Sequence, residues 1–308
     1  MFVLGGGSNI VVADSGFPGL VLRLCIRGIE TKIEGDSAEL IAGVGEEWDA
    51  LVARSVANNW SGWECLSGIP GRVGATPIQN VGAYGQDTSE TLVSVEALDL
   101  NDRKLVCLSA ADCEFGYRTS RFKTRDRDRF VITRVSYRLK VGGAPVIRYP
   151  ELQRHLGELK TIAPTPADVR EAVLAIRRRK AMVIDPSEPD SRSVGSFFVN
   201  PTLTHEQFNL VKSQAARFIG SAEEVPSYPA AENMVKLSAA WLIQRAGISR
   251  GYVHGNVGTS TKHALAIVNR GGGSAKEVAE LKDLIQARVF NAFGILLAPE
   301  PVFVGFEP

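Results

Sequence analysis

The sequence predicts an α+β protein, and three observations carry that prediction. Strand-like runs rich in Val and Ile crowd residues 1–150, most amphipathic helical patterns come after residue 165, and a proline-bearing stretch, IDPSEPDSRS, separates the first of those helices from VGSFFVNP like a domain boundary. Strands followed by segregated helices fit an α+β arrangement better than the regular alternation of a parallel sheet.

The elements follow in order. MFVL reads as a buried strand that runs straight into glycines, a beginning that suggests further sequence upstream. NIVVAD, GLVLRL, AELIAGVG, VSVEALDL and FVITRVSYRL read as short strands. Between them, Glu47 to Asn59 has helical spacing, with Leu51, Val52, Ser55 and Val56 on one face. TPADVREAVLAIRRRK predicts a helix with Thr165 as N-cap, Pro166 in the first position and Asp168 completing a capping box. Its apolar stripe is Val169, Ala172, Val173 and Ile176, and Lys180 falls on the same inward face. A buried ammonium needs a partner, so Lys180 pairs with an acid, snorkels to solvent or faces a ligand. Beyond the linker, VKLSAAWLIQRAG predicts a helix closed by Gly247, and HALAIVN a strand. SAKEVAELKDLIQARVFNAFG predicts a helix with Ser274 and Glu277 as a capping box and Gly294 at its end. ILLAPEPVFVGF predicts two strand pieces around Pro299-Glu300-Pro301.

Composition narrows the classes. The chain has 308 residues, enough for two compact domains or one large one, and its 44% hydrophobic and 22% charged content is ordinary for a globular enzyme. A net charge of +1 gives no whole-molecule field for nucleic acid or a membrane surface. Cys25, Cys65, Cys107 and Cys113 form no C-x-x-C pair, which argues against metal ligation and a disulfide framework and for a reducing cytoplasm. No stretch is long and apolar enough to cross a bilayer, and the N-terminus lacks the pattern of a secretory signal.

Two glycine-rich runs stand out. LGGGSN, Leu4 to Asn9, follows a strand; by itself it reads as a tight turn, though its successive N–H groups can also form an anion nest. It is not G-x-G-x-x-G and no helix follows, so a Rossmann site is not supported. SGIPGRVGATPIQNVGAYGQD, Ser67 to Asp87, interleaves glycines with Ile69, Val73, Ile78 and Val81 as anchors. That pattern favours a backbone ribbon approaching a ligand over a buried crossing of two backbones. The six basic residues from Arg118 to Arg129 are interrupted by Asp126 and Asp128, a self-paired solvated turn. Arg118, upstream of that turn beside Tyr117, suits a carboxylate or phosphate but equally an ordinary surface. Glu300 is held rigidly between prolines. VGSFFVNP, if extended, sends Val194, Ser196, Phe198 and Asn200 to one face. Ser196 has no G-x-S-x-G elbow and no histidine nearby in sequence, so an acyl-transfer nucleophile is disfavoured and a hydroxyl proton donor remains.

LGGGSN, GIPGRVGATPIQNVGAYG, FGYRTSRF, GSFFVNP, VKLSAAWLI, KHALAIVN and LAPEPVFVG occur in the order seen in the UDP-N-acetylenolpyruvoylglucosamine reductase (MurB) family, and the resemblance spans essentially the whole chain. IRYPEL resembles the subclass with a tyrosine-bearing loop over the substrate. The resemblance implies a two-part FAD-binding domain of the vanillyl-alcohol-oxidase/PCMH type, with its first part truncated, plus an α+β substrate-binding domain. The expected limits are 1–26 and 27–184 for the two FAD-binding parts, 185–298 for the substrate domain and 299–308 for a C-terminal strand returning to the FAD domain. The family has a further βαβ-like segment before LGGGSN. The implied activity is a cytoplasmic, monomeric, metal-free enzyme of peptidoglycan precursor synthesis. NADPH reduces non-covalently bound FAD, and the enolpyruvyl ether of UDP-N-acetylenolpyruvoylglucosamine is then reduced to UDP-N-acetylmuramate, both in one pocket.

Carried over by motif, Ser196 matches the proton donor, and Arg118 and Glu300 match the other catalytic positions. Tyr117, Tyr149, Lys180, Asn200, Tyr228, Lys236 and His263 resemble residues around the substrate. Gly5, Gly6, Gly7, Ser8 and Asn9 resemble the first FAD contacts. Gly68, Ile69, Pro70, Gly71, Gly74, Ala75, Thr76, Gln79, Asn80, Gly82, Ala83 and Tyr84 resemble the second. Two other readings are open: a different FAD-dependent oxidoreductase of the same superfamily, and a non-catalytic nucleotide- or RNA-binding protein using the basic run.

Overall fold

The computed structural model describes residues 1–219, 224–230 and 233–306. The chain forms two compact units, Met1–Ser8 with Gly19–Val183, and Asn9–Pro18 with Ile184–Pro308. The sequence places limits after residues 26, 184 and 298, whereas the units divide after residues 8, 18 and 183; residues 307–308 of the expected terminal segment lie outside the described residues.

In the first unit an antiparallel sheet runs in the order Lys104–Ser109, Leu92–Asp99, Phe130–Val141, Ser37–Gly43, Ile29–Glu34, and Trp60–Ser61 pairs with the end of the long strand. Alternation turns Ala38, Leu40, Ala42, Val95, Ala97, Val135, Tyr137 and Leu139 to one buried face. Helix α1 (Trp48–Ala57) covers that face through Trp48, Leu51 and Val52, as its spacing predicts. A single turn, α2 (Thr76–Gln79), lies within the second glycine run. Helices α3 (Pro150–Glu158) and α4 (Pro166–Arg179) build a smaller core from Leu152, Leu156, Val169, Ala172, Val173 and Ile176, with Cys65. The capping box of α4 forms as expected, Thr165 Oγ1 accepting from Asp168 N at 3.2 Å and Asp168 accepting from Thr165 N at 2.8 Å. MFVL departs from its reading as a buried strand. Among the described residues Phe2–Leu4 pairs with Val21–Arg23, in parallel, as a two-stranded ribbon, and all three of its residues stay half-buried.

The second unit holds an antiparallel sheet in the order Ser193–Ser196, Ala266–Asn269, Val257–Thr259, Val253–His254, and a smaller one in the order Thr202–Leu203, Val235–Leu237, Ser227–Pro229. Val302–Val304 lies parallel to Ile10–Val12. Helices α5 (His205–Ile219), α6 (Ala239–Arg245) and α7 (Ala275–Phe293) enclose a core that includes Phe197, Phe198, Leu242, Ile285 and Phe293. The box of Ser274 and Glu277 and the left-handed Gly294 close α7 at its two ends, as predicted. Three expectations are corrected. VKLSAAWLIQRAG begins as a strand, Val235–Leu237, with Val235 and Leu237 buried on either side of Lys236; Ser238 then caps α6 through Trp241 N at 3.3 Å. ILLAPEPVFVGF contains one strand only, because Pro299 makes a single bridge to Phe198 and Pro301 cannot donate to a ladder. In VGSFFVNP the left-handed Gly195 (φ 82°) and a register shift between Ser193 and Ser196 break the alternation, so Phe197 and Phe198 are both buried.

Candidate active site

The first unit brings the two glycine runs together. A Cβ on Gly6 would lie 2.9 Å from Gly71 Cα, and one on Gly71 would lie 2.9 Å from Ser8 Oγ, which donates to Pro70 O at 3.2 Å. The backbone crossing weighed above therefore exists, and it accounts for Gly6 and Gly71. Gly5 differs, since a Cβ there meets nothing within 4 Å. The N–H groups of Gly5, Gly6 and Gly7 make no hydrogen bond among the described residues. The second run is tied to the start of α1 by Trp48 N to Gly71 O, Val73 N to Glu46 O and Gly74 N to Val44 O. Gly74 is closed by Val44, and Gly68 is left-handed at φ 71°, so packing explains the first and backbone conformation the second. Ile69, Pro70, Ala75, Gln79 and Ala83 are half-buried along it, whereas Ile78 is exposed rather than the anchor expected.

Two polar side chains of this run serve the fold. Thr76 Oγ1 meets Val73 O at 2.8 Å and Tyr137 Oη at 2.5 Å. Asn80, left-handed at φ 46°, accepts from Ser89 N at 3.0 Å and donates to Gly116 O at 3.0 Å. Arg118 is anchored to the same run. It donates to Gly82 O, lies 3.4 Å from Asp87 and sits above the Tyr117 ring at 5.2 Å. A Cβ on Gly82 would fall 1.6 Å from Asp87 Oδ1, so a larger residue there would displace the Asp87 side chain that Arg118 pairs with. Arg118 (φ 56°) and Tyr84 (φ 49°) are also left-handed, conformations that cost non-glycine residues energy and concentrate at functional sites.

Tyr84 lies against one substrate candidate of this unit. Its ring meets Tyr149 edge-on at 5.4 Å, and burial pushes its hydroxyl up to about 12. Lys180 adopts the paired state, 2.5 Å from Glu151. Two residues escaped sequence reasoning. Glu64 is fully buried and accepts from Gly62 N at 2.7 Å, Gln86 Nε2 at 2.9 Å and Val146 N at 3.3 Å, fixing the hairpin beside Tyr84. Arg177 is buried beneath Gly68, donating to Gly68 O at 3.2 Å and Met182 O at 2.7 Å, with Nε unpartnered. Burial lowers its pKa. Neither carries a local motif, since its partners are distant in sequence. Free N–H donors, the open side of Gly5 and a cation beneath the second run together fit an anionic dinucleotide such as FAD.

The second unit brings Ser196, His263 and Glu300 into one neighbourhood. Glu300 N donates to Phe197 O at 2.9 Å and Val199 N to Ala298 O at 3.0 Å, so GSFFVNP and APEP run side by side. Asn9 belongs here, its amide donating to Glu300 O at 3.2 Å. Ser196 Oγ lies 3.5 Å from His263 Nε2, the histidine that proximity in sequence did not reveal. Asn200 Oδ1 accepts from Ala239 N at 2.9 Å, capping α6. Tyr228 and Lys236 are direct partners across neighbouring strands and so share a face. Among the described residues no cluster of three metal-ligating side chains occurs, and no helix is long and apolar enough to cross a membrane.

Two family models match the chain. Residues 1–108 match an FAD binding domain, and residues 185–304 match the UDP-N-acetylenolpyruvoylglucosamine reductase C-terminal domain. That combination defines the class as a flavin-dependent oxidoreductase. The chain is 48% identical over 307 residues to a UDP-N-acetylenolpyruvoylglucosamine reductase of Thermobifida fusca (strain YX), covering 99% of this chain and 86% of that relative. It is 46% identical to one of Streptomyces coelicolor, covering 99% and 79%, and 43% identical to one of Mycobacterium tuberculosis, covering 98% and 82%. The chain belongs to the UDP-N-acetylenolpyruvoylglucosamine reductase family. The crystal structure of such a reductase from Thermus caldophilus shares the fold, with a TM-score of 0.64 at 24% identity over 98% of this chain and 84% of that one.

Proposed function

We propose that this enzyme reduces the enolpyruvyl group of UDP-N-acetylenolpyruvoylglucosamine to give UDP-N-acetylmuramate, with NADPH as the source of hydride. The observation that carries the reading is the side-by-side course of GSFFVNP and APEP, which brings the backbone of Glu300 against that of Phe197, next to Ser196, within one unit. FAD, when bound, supplies two-electron hydride transfer from the nicotinamide to the vinyl carbon remote from the substrate carboxylate.

The chain's own residues do the rest. The N–H groups of Gly5, Gly6 and Gly7, with Arg177 beneath Gly68, hold the anionic dinucleotide. Arg118, fixed in place by Gly82 O and Asp87, presents positive charge to the electron density that develops toward the substrate carboxylate. Glu300 orients that carboxylate. Ser196 Oγ–H delivers the proton to the neighbouring carbon; a carbanion-like centre is basic enough to take a proton from an alcohol. Lys236 and Tyr228 offer a cation and an aromatic face on one side of a sheet, suited to a uridine diphosphate. Four free cysteines fit a reducing compartment such as the cytoplasm.

The test separates the half-reactions. Protein loaded with FAD is bleached by NADPH and recovers its colour on addition of UDP-N-acetylenolpyruvoylglucosamine. Ser196→Ala retains bleaching and slows recovery by roughly 10²–10⁴-fold, the usual loss for a positioned general acid. Equal slowing of both steps defeats the assignment of Ser196, and failure of the sugar nucleotide to restore colour defeats the substrate.

A further inference from the structure

We propose that His263 is the proton partner of Ser196, returning to the seryl oxygen the proton that it gives to substrate. The inference rests on the reading of Ser196 as proton donor and deepens it. A nearby histidine was not evident in the sequence, because 67 residues separate the pair; the sheet brings them together. Ser196 stands opposite Ala266 in the ladder, and Phe197 N donates to Leu265 O at 2.7 Å. The turn from Ser260 to Ala266 is closed by Ser260 N to Ala266 O at 2.9 Å and Ala266 N to His263 O at 3.1 Å, which carries the imidazole back over Ser196. The resulting Oγ···Nε2 separation is 3.5 Å. Hydrogen bonds of this kind are often long without substrate and tighten in the reactive complex.

The turn itself is anchored by a residue that the reaction does not otherwise employ. Asp190, 6% exposed, accepts from Ser260 Oγ at 2.9 Å, Thr261 N at 2.7 Å and Thr261 Oγ1 at 2.6 Å. Ser260 Oγ in turn accepts from the N–H groups of Lys262 at 3.0 Å and His263 at 3.2 Å. A buried carboxylate therefore sets the backbone at His263, while Lys262 is drawn away to Glu188.

The proton balance is simple and no electrons move. The Ser196 O–H bond breaks as a C–H bond forms on substrate, leaving the seryl oxygen as a strong base. The N–H of protonated His263 breaks as the O–H of Ser196 re-forms, leaving a neutral ring. A proton from bulk solvent (hydronium or buffer acid, leaving water or the buffer base) then reprotonates the half-buried imidazole, supplying the one proton each turnover consumes. His263 acts through Ser196, so it is a positioning residue for proton return and makes no bond to the reacting carbon.

The experiment uses the full-length enzyme in three forms, Ser196→Ala, His263→Ala and the double variant, with His263→Gln as a fourth that preserves side-chain volume. In stopped flow, His263→Ala slows flavin reoxidation by the enolpyruvyl substrate about 10–100-fold, less than loss of the acid itself, and slows reduction by NADPH at least ten times less. Imidazole added to His263→Ala restores reoxidation, but in the double variant it restores nothing. One readout needs no turnover: in enzyme labelled with [15N]histidine, Ser196→Ala shifts one ring-nitrogen resonance among the four histidines, and that resonance is missing in His263→Gln. If Ser196→Ala itself leaves reoxidation unchanged, the proton-donor reading falls. If Ser196→Ala is slow but His263→Ala is as fast as wild type, or is slowed equally in both half-reactions, or is untouched by imidazole, the pairing alone is overturned. A histidine spectrum unaltered by Ser196→Ala overturns it as well.

Discussion

Gly5 and Gly6 are neighbours with opposite requirements. Gly6 abuts Gly71 backbone to backbone, whereas Gly5 faces open space and its φ needs no glycine. Gly6→Val must push two backbones apart, and overpacking of this sort costs roughly 1–3 kcal/mol. A Cβ at Gly5 meets no protein atom within 4 Å, so denaturant unfolding without FAD is expected to show near wild-type stability for Gly5→Val and a clear loss for Gly6→Val. FAD titration is expected to reverse the emphasis, with Gly5→Val losing flavin affinity. Equal apo destabilisation by both would make Gly5 a packing residue. Asp190 allows a second residue-level prediction. Burial alone would raise its pKa, but hydrogen bonds from Thr261 and Ser260 and the charge of Arg270 outweigh burial and hold it below the ordinary value of 3.8. A depressed carboxylate stabilises the fold fully above its unfolded value, and the stabilisation fades as pH falls through the lower folded value. Asp190→Asn is therefore expected to cost about 1.5–3 kcal/mol at neutral pH, the range for hydrogen bonds to a charged group. Denaturation curves of variant and wild type should converge below the ordinary value as pH is lowered; a gap that persists undiminished in acid would contradict the charge-based account.

Helix ends show how sequence and fold share control of an element. The box of Ser274 and Glu277 at the start of α7 is written locally and was legible. The same end also receives Asp14, whose two carboxylate oxygens accept from Ala275 N at 2.8 Å and Lys276 N at 3.0 Å across 261 and 262 residues. No periodicity could reveal that. Each cap satisfies N–H groups that a helix leaves unpaired, so Asp14→Ala and Ser274→Ala should each cost about 0.5–2 kcal/mol in denaturant unfolding. Because they serve adjacent groups of one turn, the double variant should depart from the sum of the singles; strict additivity would mean that one of the caps is weak in solution. The strand-to-helix switch at Ser238 was missed for a related reason. Val235 and Leu237 fit both a strand and a helix over so short a run, and only the pairing of Lys236 with Thr202 and Tyr228 decides for strand. Gly195 is the converse case: its presence hinted at close approach, but the bulge that buries both Phe197 and Phe198 depends on the partner strand.

At the scale of the whole chain, the α+β class, most elements and the family were legible because strand alternation, caps and ordered motifs are local signals. Chemistry that depends on distant pairs was not: Ser196 with His263, Glu64 with Gln86, and Arg177 under Gly68 become neighbours only through topology. Candidates singled out by residue type split accordingly, Asn80 and Thr76 having side-chain partners within the fold, while Gly5 faces open space. This division leads to a prediction for the full-length protein. A ligand that binds only the folded state adds stability by mass action, about 2.7 kcal/mol at a free concentration one hundred times its Kd. FAD at that excess should raise the calorimetric transition of the full chain, and the increment should grow with the logarithm of FAD concentration. The first unit carries the free N–H groups of Gly5, Gly6 and Gly7, so Gly5→Val should unfold at the wild-type temperature without FAD and gain little with it. Ser196→Ala, altered only in the second unit, should gain as much as wild type. An undiminished FAD shift in Gly5→Val would remove the first glycine run from the flavin site and leave its open side without a role in cofactor binding.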